Sequence, residues 1–230
     1  MKKTNNKILI IAAHPDDEVL GCGGIIAKYA KSNEIYVLIL GEGITSRYSK
    51  RLQAPQKELL ELKEKARKAG KLLSAKEIFF LDLPDQRLET IPFLEIVKKV
   101  EEFVKKIEPQ VIFTHSSADL NLDHRITFRA VLTAARPVKE CSVKEIYSFE
   151  VLSSTEWGFK KINGAFVPNI FEDIALTIDK KIQALRLYGA EIKEFPHPRS
   201  PEGVKLLAQK RGMEAGVKFA EAFELIRRIE

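Results

Sequence analysis

Residues 13–18 read AHPDDE and bring one imidazole and three carboxylates together directly after an apolar run. His14 and Asp17 are three residues apart, a spacing that places both side chains on one face of a helical turn. Imidazole nitrogens and carboxylate oxygens are ligands that zinc prefers. Asp16 would then point away from these two, close to the metal and free to accept a proton. A structural role is the alternative, in which Asp16 or Asp17 caps the next helix and Pro15 starts it.

A second group of acidic and imidazole side chains occupies residues 115–125, which read HSSADLNLDHR and follow another apolar run. Taken alone, His124 could be an ordinary surface histidine. In doubly wound sheets, however, the first strand neighbours the strand beyond the chain reversal, and ligands bind at the carboxyl ends beside that point. If the strand that ends near His115 is this neighbour, His14, Asp17 and His124 meet in one crevice. Three protein ligands would leave a position for water, as in catalytic zinc sites.

Both segments lie in a chain in which apolar strands alternate with amphipathic helices. Continuous apolar runs predict buried parallel strands at residues 7–13, 34–40, 77–83, 110–115 and 145–151. Helical periodicity predicts helices at residues 18–31, 56–73, 91–107 and 125–135. The alternation predicts an α/β fold: a doubly wound, Rossmann-like parallel sheet with helices on both faces.

The pattern becomes less regular after residue 151. The expected elements are a hairpin turn at Asn163 and Gly164, one or two strands within 166–178 and a helix at 180–188. A final helix is expected from Glu202 towards the C-terminus, either unbroken or interrupted near Gly212 or Gly216. The three prolines of residues 195–201 (FPHPRSP) exclude a regular helix and predict a loop. We expect one domain over residues 1–230, with a Rossmann-like core at 1–151 and C-terminal elements at 152–230 that close the site.

The charge balance argues against a nucleic-acid partner. The 38 Lys and Arg residues exceed the 32 Asp and Glu residues by 6, but the two signs are interleaved along stretches such as residues 58–71, which is typical of a solvated helix face. Cys22 and Cys141 are too few for a disulfide framework, and no apolar stretch is long enough to span a membrane. The apolar run after the basic residues 1–7 is too short for a signal peptide, so we expect a reduced, cytoplasmic protein.

Residues 13–24 (AHPDDEVLGCGG) closely resemble the signature of the PIG-L/LmbE-like zinc-dependent N-deacetylases. That family pairs this signature with a later Asp-x-His-x-Asp-His segment, which residues 119–124 (DLNLDH) largely match. The resemblance covers the strand pattern up to about residue 151 and, more loosely, the C-terminal part. It implies that His14, Asp17 and His124 hold the metal, which is zinc or else Fe²⁺ or another divalent ion, and that Asp16 is the general base.

The same resemblance implies an activity. The chain is expected to be a hydrolase that removes the N-acetyl group from an N-acetylglucosamine-type amino sugar or its conjugate. Its partner would be this small molecule, and assembly into a homo-oligomer is left open. Two other functions remain in view, namely a sugar-binding protein of the same fold with little or no turnover, and an amidase acting on another small amide.

One position departs from the family pattern. Asn121 stands where the family has a histidine with a general-acid or oxyanion role, and asparagine can supply only a hydrogen bond to a developing oxyanion. Asp16 could instead carry the proton to the leaving amine. His197, in the proline-rich loop that we expect to close over the site, could stabilise the oxyanion, unless it is merely lodged between two prolines. Asp123 is expected to orient a metal ligand or a catalytic histidine.

Several residues are candidates for contact with the substrate. Arg47 follows the second strand, and Asp85 and Arg87 follow the third, so all three are expected at the same sheet edge as the metal. Asp85 can accept hydrogen bonds from sugar hydroxyls, and arginines such as Arg87 and Arg199 can donate to hydroxyl or phosphate groups. Plain turns with solvated charges explain these residues equally well. Trp157, the only tryptophan, is expected either to stack on a sugar face or to pack within the protein.

Overall fold

The structure is a computed structural model that describes residues 5–230, so the expectation for the basic N-terminal residues lies partly outside the described residues. The strands are β1 Lys7–Ala12, β2 Glu34–Gly41, β3 Glu77–Leu83, β4 Val111–His115, β5 Glu145–Phe149, β6 Ile170–Asp173 and β7 Ala220–Arg228. The helices are α1 Asp17–Tyr29, α2 Gln56–Leu72, α3 Phe93–Ile107, α4 Leu122–Ala134, α5 Lys160–Asn163, α6 Ile178–Arg186 and α7 Pro201–Ala215. Within the described part of the chain, no helix has the length and apolar character needed to cross a bilayer.

The seven strands form a single sheet in the order β3-β2-β1-β4-β5-β7-β6. The strands from β3 to β5 in this order are parallel, whereas β7 pairs with both β5 and β6 in antiparallel fashion. The predicted doubly wound α/β fold is therefore confirmed. Because β1 lies between β2 and β4, the reversal of strand order falls between β1 and β4, and the loops that follow these two strands meet at one edge.

Helices cover both faces of the sheet, as the continuous apolar strands predict. Along β1, Ile8 and Ile10 pack on one face with residues of α1, α2, α6 and α7. Leu9 and Ile11 point to the other face and pack with residues of α3 and α4. The alternation of side chains along a strand accounts for this division, and it holds β1 rigidly under the loop that begins at Ala13.

Glycines on α1 allow this helix to approach its neighbours closely. A Cβ atom at Gly21 would lie 2.3 Å from the ring of Phe149, and one at Gly24 would lie 2.7 Å from the side chain of Ile174. Neither position has room for a larger residue. Cys22 between them is fully buried. The glycine-rich end of the first motif therefore serves helix packing.

The C-terminal part of the chain departs from the prediction. The final helix ends at Ala215, where Gly216 adopts a left-handed conformation (φ 70°), and residues 220–228 form β7. The break at Gly216 is one of the two positions considered from sequence, but the helix expected beyond it is a strand. Ala, Glu, Leu and Arg favour helices locally, whereas the edge of β5 offers strand pairing over a long range. The expected hairpin turn at Asn163 was also wrong, since Asn163 ends the short helix α5.

A buried ion pair ties the C-terminal elements to α1. Nζ of Lys181 on α6 lies 2.6 Å from Oε1 of Glu221 on β7, and both side chains are almost fully buried. Glu221 also accepts hydrogen bonds from the backbone N–H groups of Gly24 at 2.7 Å and Ile25 at 2.8 Å. Lys181 in turn donates to the carbonyl oxygen of Leu20 at 2.7 Å. The contacts fix α1, which begins with Asp17.

Replacing Lys181 with methionine is expected to lower the free energy of unfolding by about 3–5 kcal/mol, because Glu221 remains as an uncompensated buried charge. Lys57 on α2 supplies the control, since both side chains of its ion pair with Glu61 are exposed, at 87% and 54%. The substitution Lys57→Met is expected to cost less than about 1 kcal/mol. Chemical denaturation measures both variants, and equal losses would contradict the prediction.

Candidate metal centre

Three ligand atoms converge at the edge where the loops after β1 and β4 meet. Nδ1 of His14, Oδ2 of Asp17 and Nε2 of His124 are separated from one another by 3.3 Å in every pairing. A tetrahedral ion with bonds of about 2.0–2.1 Å would separate its ligand atoms by about 3.3–3.4 Å. All three side chains are buried, and Oδ1 of Asp17 has no hydrogen-bond partner. The donor set therefore fits a divalent metal such as zinc.

Local backbone geometry explains how two of these ligands come together. Asp16 adopts a positive φ of 115°, which turns the chain sharply between β1 and α1. The backbone N–H of His14 donates to Oδ2 of Asp17 at 2.9 Å, which fixes this carboxylate against the loop. Asp16 occupies the N-cap position but its side chain makes no capping hydrogen bond. The capping alternative considered for this segment is therefore not what the Asp16 carboxylate does.

A glycine at the end of β2 makes room for the loop that carries His14. A Cβ atom at Gly41 would lie 2.9 Å from the carbonyl oxygen of Ala13 and 3.2 Å from Cδ2 of His14. The backbone N–H of Gly41 donates to that same carbonyl at 2.7 Å. Close approach of the two strand ends thus depends on the absence of a side chain at residue 41.

Each histidine of the triad is held by a second carboxylate. Nε2 of His14 lies 3.0 Å from Oδ2 of Asp123, whose other oxygen accepts the backbone N–H of Leu88 at 3.0 Å. Nδ1 of His124 lies 3.1 Å from Oδ2 of Asp119, an ion-pair contact rather than a straight hydrogen bond. Carboxylates in these positions fix the ring that binds a metal and raise its basicity. The structure thus places Asp123 where an orienting residue is expected.

Asp119 was assigned no role from sequence, although it begins the second motif. Its carboxylate accepts hydrogen bonds from the hydroxyls of Ser154 and Thr155 and from the backbone N–H of Asn121. Burial alone would raise the pKa of Asp119, but the contacts with His124 and the two hydroxyls lower it to about 2. Asp119 is therefore a fixed anion beside His124, and its partners at residues 154 and 155 could not be identified from local sequence.

The charges of the site are tightly linked. Burial lowers the pKa of His124, but Asp17 and Asp119 outweigh it and raise the pKa to about 9. Burial raises the pKa of Asp17, but the charge of His124 and the hydrogen bonds from His124 and His14 hold it well below its ordinary value. In the metal-free protein, a proton on His124 therefore takes the place of positive charge that a metal would supply.

His115 is a further buried histidine of the site that sequence analysis left without a role. It ends β4, and its ring stacks on that of His124 with centroids 3.9 Å apart. Its Nε2 accepts the backbone N–H of Ala13 at 2.8 Å, so this nitrogen carries a lone pair and no proton. Burial, followed by the charge of His124, lowers the pKa of His115 well below its ordinary value. A neutral His115 packs behind His124 and links β4 to the end of β1.

The Asp16 carboxylate faces a guanidinium rather than a ligand of the triad. Nη1 of Arg199 lies 3.1 Å from Oδ2 of Asp16, and Nε of Arg199 donates to the hydroxyl of Ser153 at 2.7 Å. Burial raises the pKa of Asp16 well above its ordinary value, and Arg199 opposes that rise. Glu18 accepts the backbone N–H of Asp16 at 3.0 Å and the hydroxyl of Tyr188. Asp16 is thus held in place through both its backbone and its side chain.

Asn121 has a structural task as well as a place in the site. It is the N-cap of α4, and its side-chain oxygen accepts the backbone N–H of Asp123 at 2.9 Å. This cap starts α4 at Leu122, three residues earlier than the predicted start at Arg125. With the oxygen engaged, the amide NH₂ group is what Asn121 has left to offer a ligand. Such a group can donate a hydrogen bond but cannot serve as a general acid.

A cavity that opens to solvent lies next to the triad. Its walls include His14, Asp16, Arg47, Asp85, Asn121, Glu191 and Arg199. Asp85 accepts the backbone N–H of Ser46 at 3.0 Å, and its Oδ1 lies 3.4 Å from Nε2 of His14. The cavity therefore presents hydrogen-bonding groups beside the metal ligands, as a site for a small polar substrate requires.

The remaining candidates lie at different distances from this cavity. Arg47 is at its wall, and its Nη2 donates to both carboxylate oxygens of Glu191. Arg87 is exposed and does not line the described cavity, whereas the neighbouring Gln86 does and comes within 3.4 Å of His14. His197 is also outside the lining. Its Nδ1 accepts the backbone N–H of Arg199 at 3.1 Å, two residues along the chain.

Comparisons with known proteins show which family and which fold the chain resembles. A family model described as "PIG-L: GlcNAc-PI de-N-acetylase" matches residues 9–135. The diacetylchitobiose deacetylase of Thermococcus kodakarensis is 26% identical, over 96% of this chain and 83% of that protein. Two solved structures share the fold at 20% identity. The N,N'-diacetylchitobiose deacetylase of Pyrococcus horikoshii has a TM-score of 0.77, over 96% of this chain and 84% of that one. The 4-carboxy-2-hydroxymuconate hydratase of Pseudomonas putida KT2440 has a TM-score of 0.76, over 98% of each chain.

The matched residues include both halves of the site, since 9–135 spans the loop with His14 and Asp17 as well as the start of α4 with His124. The match covers more than half of the 230 residues. The resemblance found in the two sequence motifs is thereby confirmed, and this chain belongs to the PIG-L family.

Proposed function

We propose that this protein is a metal-dependent hydrolase that removes the N-acetyl group from an N-acetylglucosamine-type amino sugar or its conjugate. The observation that carries the proposal is the equilateral arrangement of ligand atoms from His14, Asp17 and His124 beside a cavity whose wall includes the Asp16 carboxylate. Membership of a family described by de-N-acetylation and a relative that deacetylates diacetylchitobiose support it.

The proposed cofactor is Zn²⁺, bound by His14, Asp17 and His124. Two imidazoles and one carboxylate also accept Fe²⁺ and other divalent ions, so the ligand set alone favours no single metal. A divalent ion bound here supplies Lewis-acid polarisation of the amide carbonyl and lowers the pKa of water. Asp123 and Asp119 hold the two imidazole rings in the required orientation.

Asp16 is the proposed general base, which accepts a proton from the attacking water. Its buried position raises its pKa, which favours a carboxylate that can take up a proton and then release it. We further propose that Asp16 returns this proton to the leaving amine. The family's histidine is absent at residue 121, and His197 does not line the described cavity. The NH₂ group of Asn121 is the proposed donor to the oxyanion.

Substrate contacts are proposed for other residues that line the cavity. Asp85 is fixed by Ser46 and can accept hydrogen bonds from sugar hydroxyls. Arg47 can donate to a hydroxyl or an anionic group when it exchanges Glu191 for the substrate, and Arg199 can do so from its position beside Asp16. Arg87 and His197 would reach the substrate only beyond the cavity. The C-terminal elements at 152–230 contribute Glu191 and Arg199, which fits the proposed single domain closed by these elements.

A second candidate function follows from Asn121. Without the histidine of its family at this position, the protein could bind an amino sugar through the metal site with little turnover. The shared fold of the hydratase from Pseudomonas putida also shows that the fold is not tied to deacetylation. The cytoplasmic location and a homo-oligomeric assembly stay predictions.

We expect the zinc-loaded protein to release acetate from at least one N-acetylglucosamine conjugate, and we expect chelation to remove this activity reversibly. The measurement is an acetate assay over free N-acetylglucosamine, N,N'-diacetylchitobiose and anionic conjugates, before and after treatment with a chelator and reloading with Zn²⁺ or Fe²⁺. Stoichiometric metal without acetate from any acetamido sugar would favour the binding-protein function. A protein that cannot be loaded with any divalent metal would exclude both the deacetylase function and the alternative of an amidase acting on another small amide.

A further inference from the structure

Four large apolar side chains are exposed on the segments that adjoin the cavity. They are Leu120 in the loop after β4, Trp157 and Phe159 in the turn before α5, and Phe195 in the proline-rich loop. Each is between 50% and 59% exposed. Single exposed apolar residues are common on protein surfaces, but a contiguous group of them indicates a binding site.

Backbone contacts bring these segments together. The N–H of Leu120 donates to the carbonyl oxygen of Ser154 at 3.3 Å. A Cβ atom at Gly158 would lie 2.4 Å from the carbonyl oxygen of Ala118, so the turn between Trp157 and Phe159 rests directly on the loop after β4. The ring of Trp157 meets His197 edge to face, with centroids 6.0 Å apart. We call the group Leu120, Trp157, Phe159, Phe195 and His197 the aromatic rim.

The aromatic rim is continuous with the cavity. Leu120 precedes Asn121, which lines the cavity, and His197 accepts the backbone N–H of Arg199, which lines it too. Arg199 also donates to the hydroxyl of Ser153, at the start of the turn that carries Trp157. A molecule seated against Asn121 and Arg199 and extending out of the cavity would therefore pass over the rim.

We propose that the aromatic rim binds a second sugar ring, joined to the acetamido sugar whose amide is hydrolysed. The inference rests on the proposed function, because it assigns the part of the substrate that lies outside the cavity. A pyranose ring has an apolar face of C–H groups and an edge of hydroxyls. The half-exposed ring of Trp157 suits the apolar face, and the polar groups of His197 and Arg199 suit the hydroxyl edge. An alkyl chain would instead require a groove with aliphatic walls, and polar groups interrupt the rim.

Trp157 offers a direct test because it is the only tryptophan in the chain. In the zinc-loaded Asp16→Asn variant, where turnover is expected to be slow, N,N'-diacetylchitobiose should change the intrinsic tryptophan fluorescence saturably. Free N-acetylglucosamine should change it little at concentrations that give the same occupancy by calorimetry. A fluorescence response of equal size to both sugars, or none to the disaccharide, would overturn the proposal.

Turnover of the otherwise unchanged enzyme supplies the second test. Trp157→Ala is expected to raise KM for diacetylchitobiose about five- to tenfold, with kcat changed less than about twofold, because a ring-stacking contact of this kind is worth a factor of about that size. KM for free N-acetylglucosamine should not change, and Trp157→Phe should recover most of the lost affinity. Leu176→Ala is the control, since Leu176 is 93% exposed before α6 and lies outside the rim.

The outcomes separate this inference from the proposed function. If the wild-type enzyme releases acetate but Trp157→Ala affects both sugars equally, the second-ring subsite is wrong and the deacetylase proposal stands. If no sugar yields acetate but the disaccharide alone alters the tryptophan fluorescence, the subsite stands and hydrolysis is wrong. A lower KM for n-octyl N-acetylglucosaminide than for the disaccharide, lost in Trp157→Ala, would assign the rim to an alkyl chain and overturn the proposal.

Discussion

Replacing Asp16 with asparagine is expected to lower kcat for acetate release by about 10²–10⁴-fold while the protein keeps its metal. Asparagine preserves the size of the side chain but cannot accept a proton from water. Asp16 contributes none of the three converging ligand atoms, so its loss leaves the metal-binding set complete. The substitution also removes the ion pair with Arg199. Both losses are expected to slow the proposed transfer of a proton from water.

The measurement is steady-state kinetics on the substrate found in the acetate assay, with metal content determined on the same samples. Asp85→Asn is the matched control, because Asp85 is also a buried carboxylate of the cavity and is proposed to contact the sugar. That control should raise KM more than it lowers kcat. A kcat for Asp16→Asn within threefold of wild type, at full metal occupancy, would remove Asp16 from the proton route.

The convergence of His14, Asp17 and His124 could be predicted from sequence because the signal is local within each motif and the topology joins the motifs. His14 and Asp17 share one turn, and β1 and β4 are neighbours at the chain reversal. Parallel strands that are buried on both faces give long apolar runs, so their order in the chain is easily recognised. The carboxyl ends of β1 and β4 then necessarily meet, which brings His124 to a loop 110 residues away in sequence.

The groups around the ligands could not be predicted in the same way. Arg199 contacts Asp16 across 183 residues, through a loop whose position depends on α6 and α7. Asp119 takes its hydroxyl partners from a turn after β5, for which the sequence has no distinctive pattern. The same limitation explains the error at β7, because the pairing of residues 220–228 with β5 depends on an edge that only the folded sheet provides. Long-range contacts therefore define the surroundings of Asp16 and the walls of the cavity.

The substitution His124→Ala is expected to abolish stoichiometric metal binding and, with it, acetate release. Changes to carboxylates that only orient a ligand typically weaken metal binding about 10–100-fold, so loss of a ligand itself should weaken it by more than about 100-fold. Asp123→Asn gives the intermediate case, since Asp123 contacts Nε2 of His14 and contributes no atom to the triad. Metal content after dialysis and Zn²⁺ affinity by calorimetric titration are measured for the wild type, His124→Ala and Asp123→Asn.

His197→Ala is the control for loss of a histidine, because His197 lies outside the triad and its replacement should leave metal content unchanged.

Proton release gives an independent check on the role of His124. The carboxylates of Asp17 and Asp119 overcome burial and raise the pKa of His124 to about 9, so metal-free protein carries a proton on this ring at pH 7. Metal and proton compete for the same ring, so Zn²⁺ affinity should fall as the pH drops below about 9. Retention of one tightly bound Zn²⁺ by His124→Ala would show that the metal is held elsewhere, and the assignment of the triad would then be wrong.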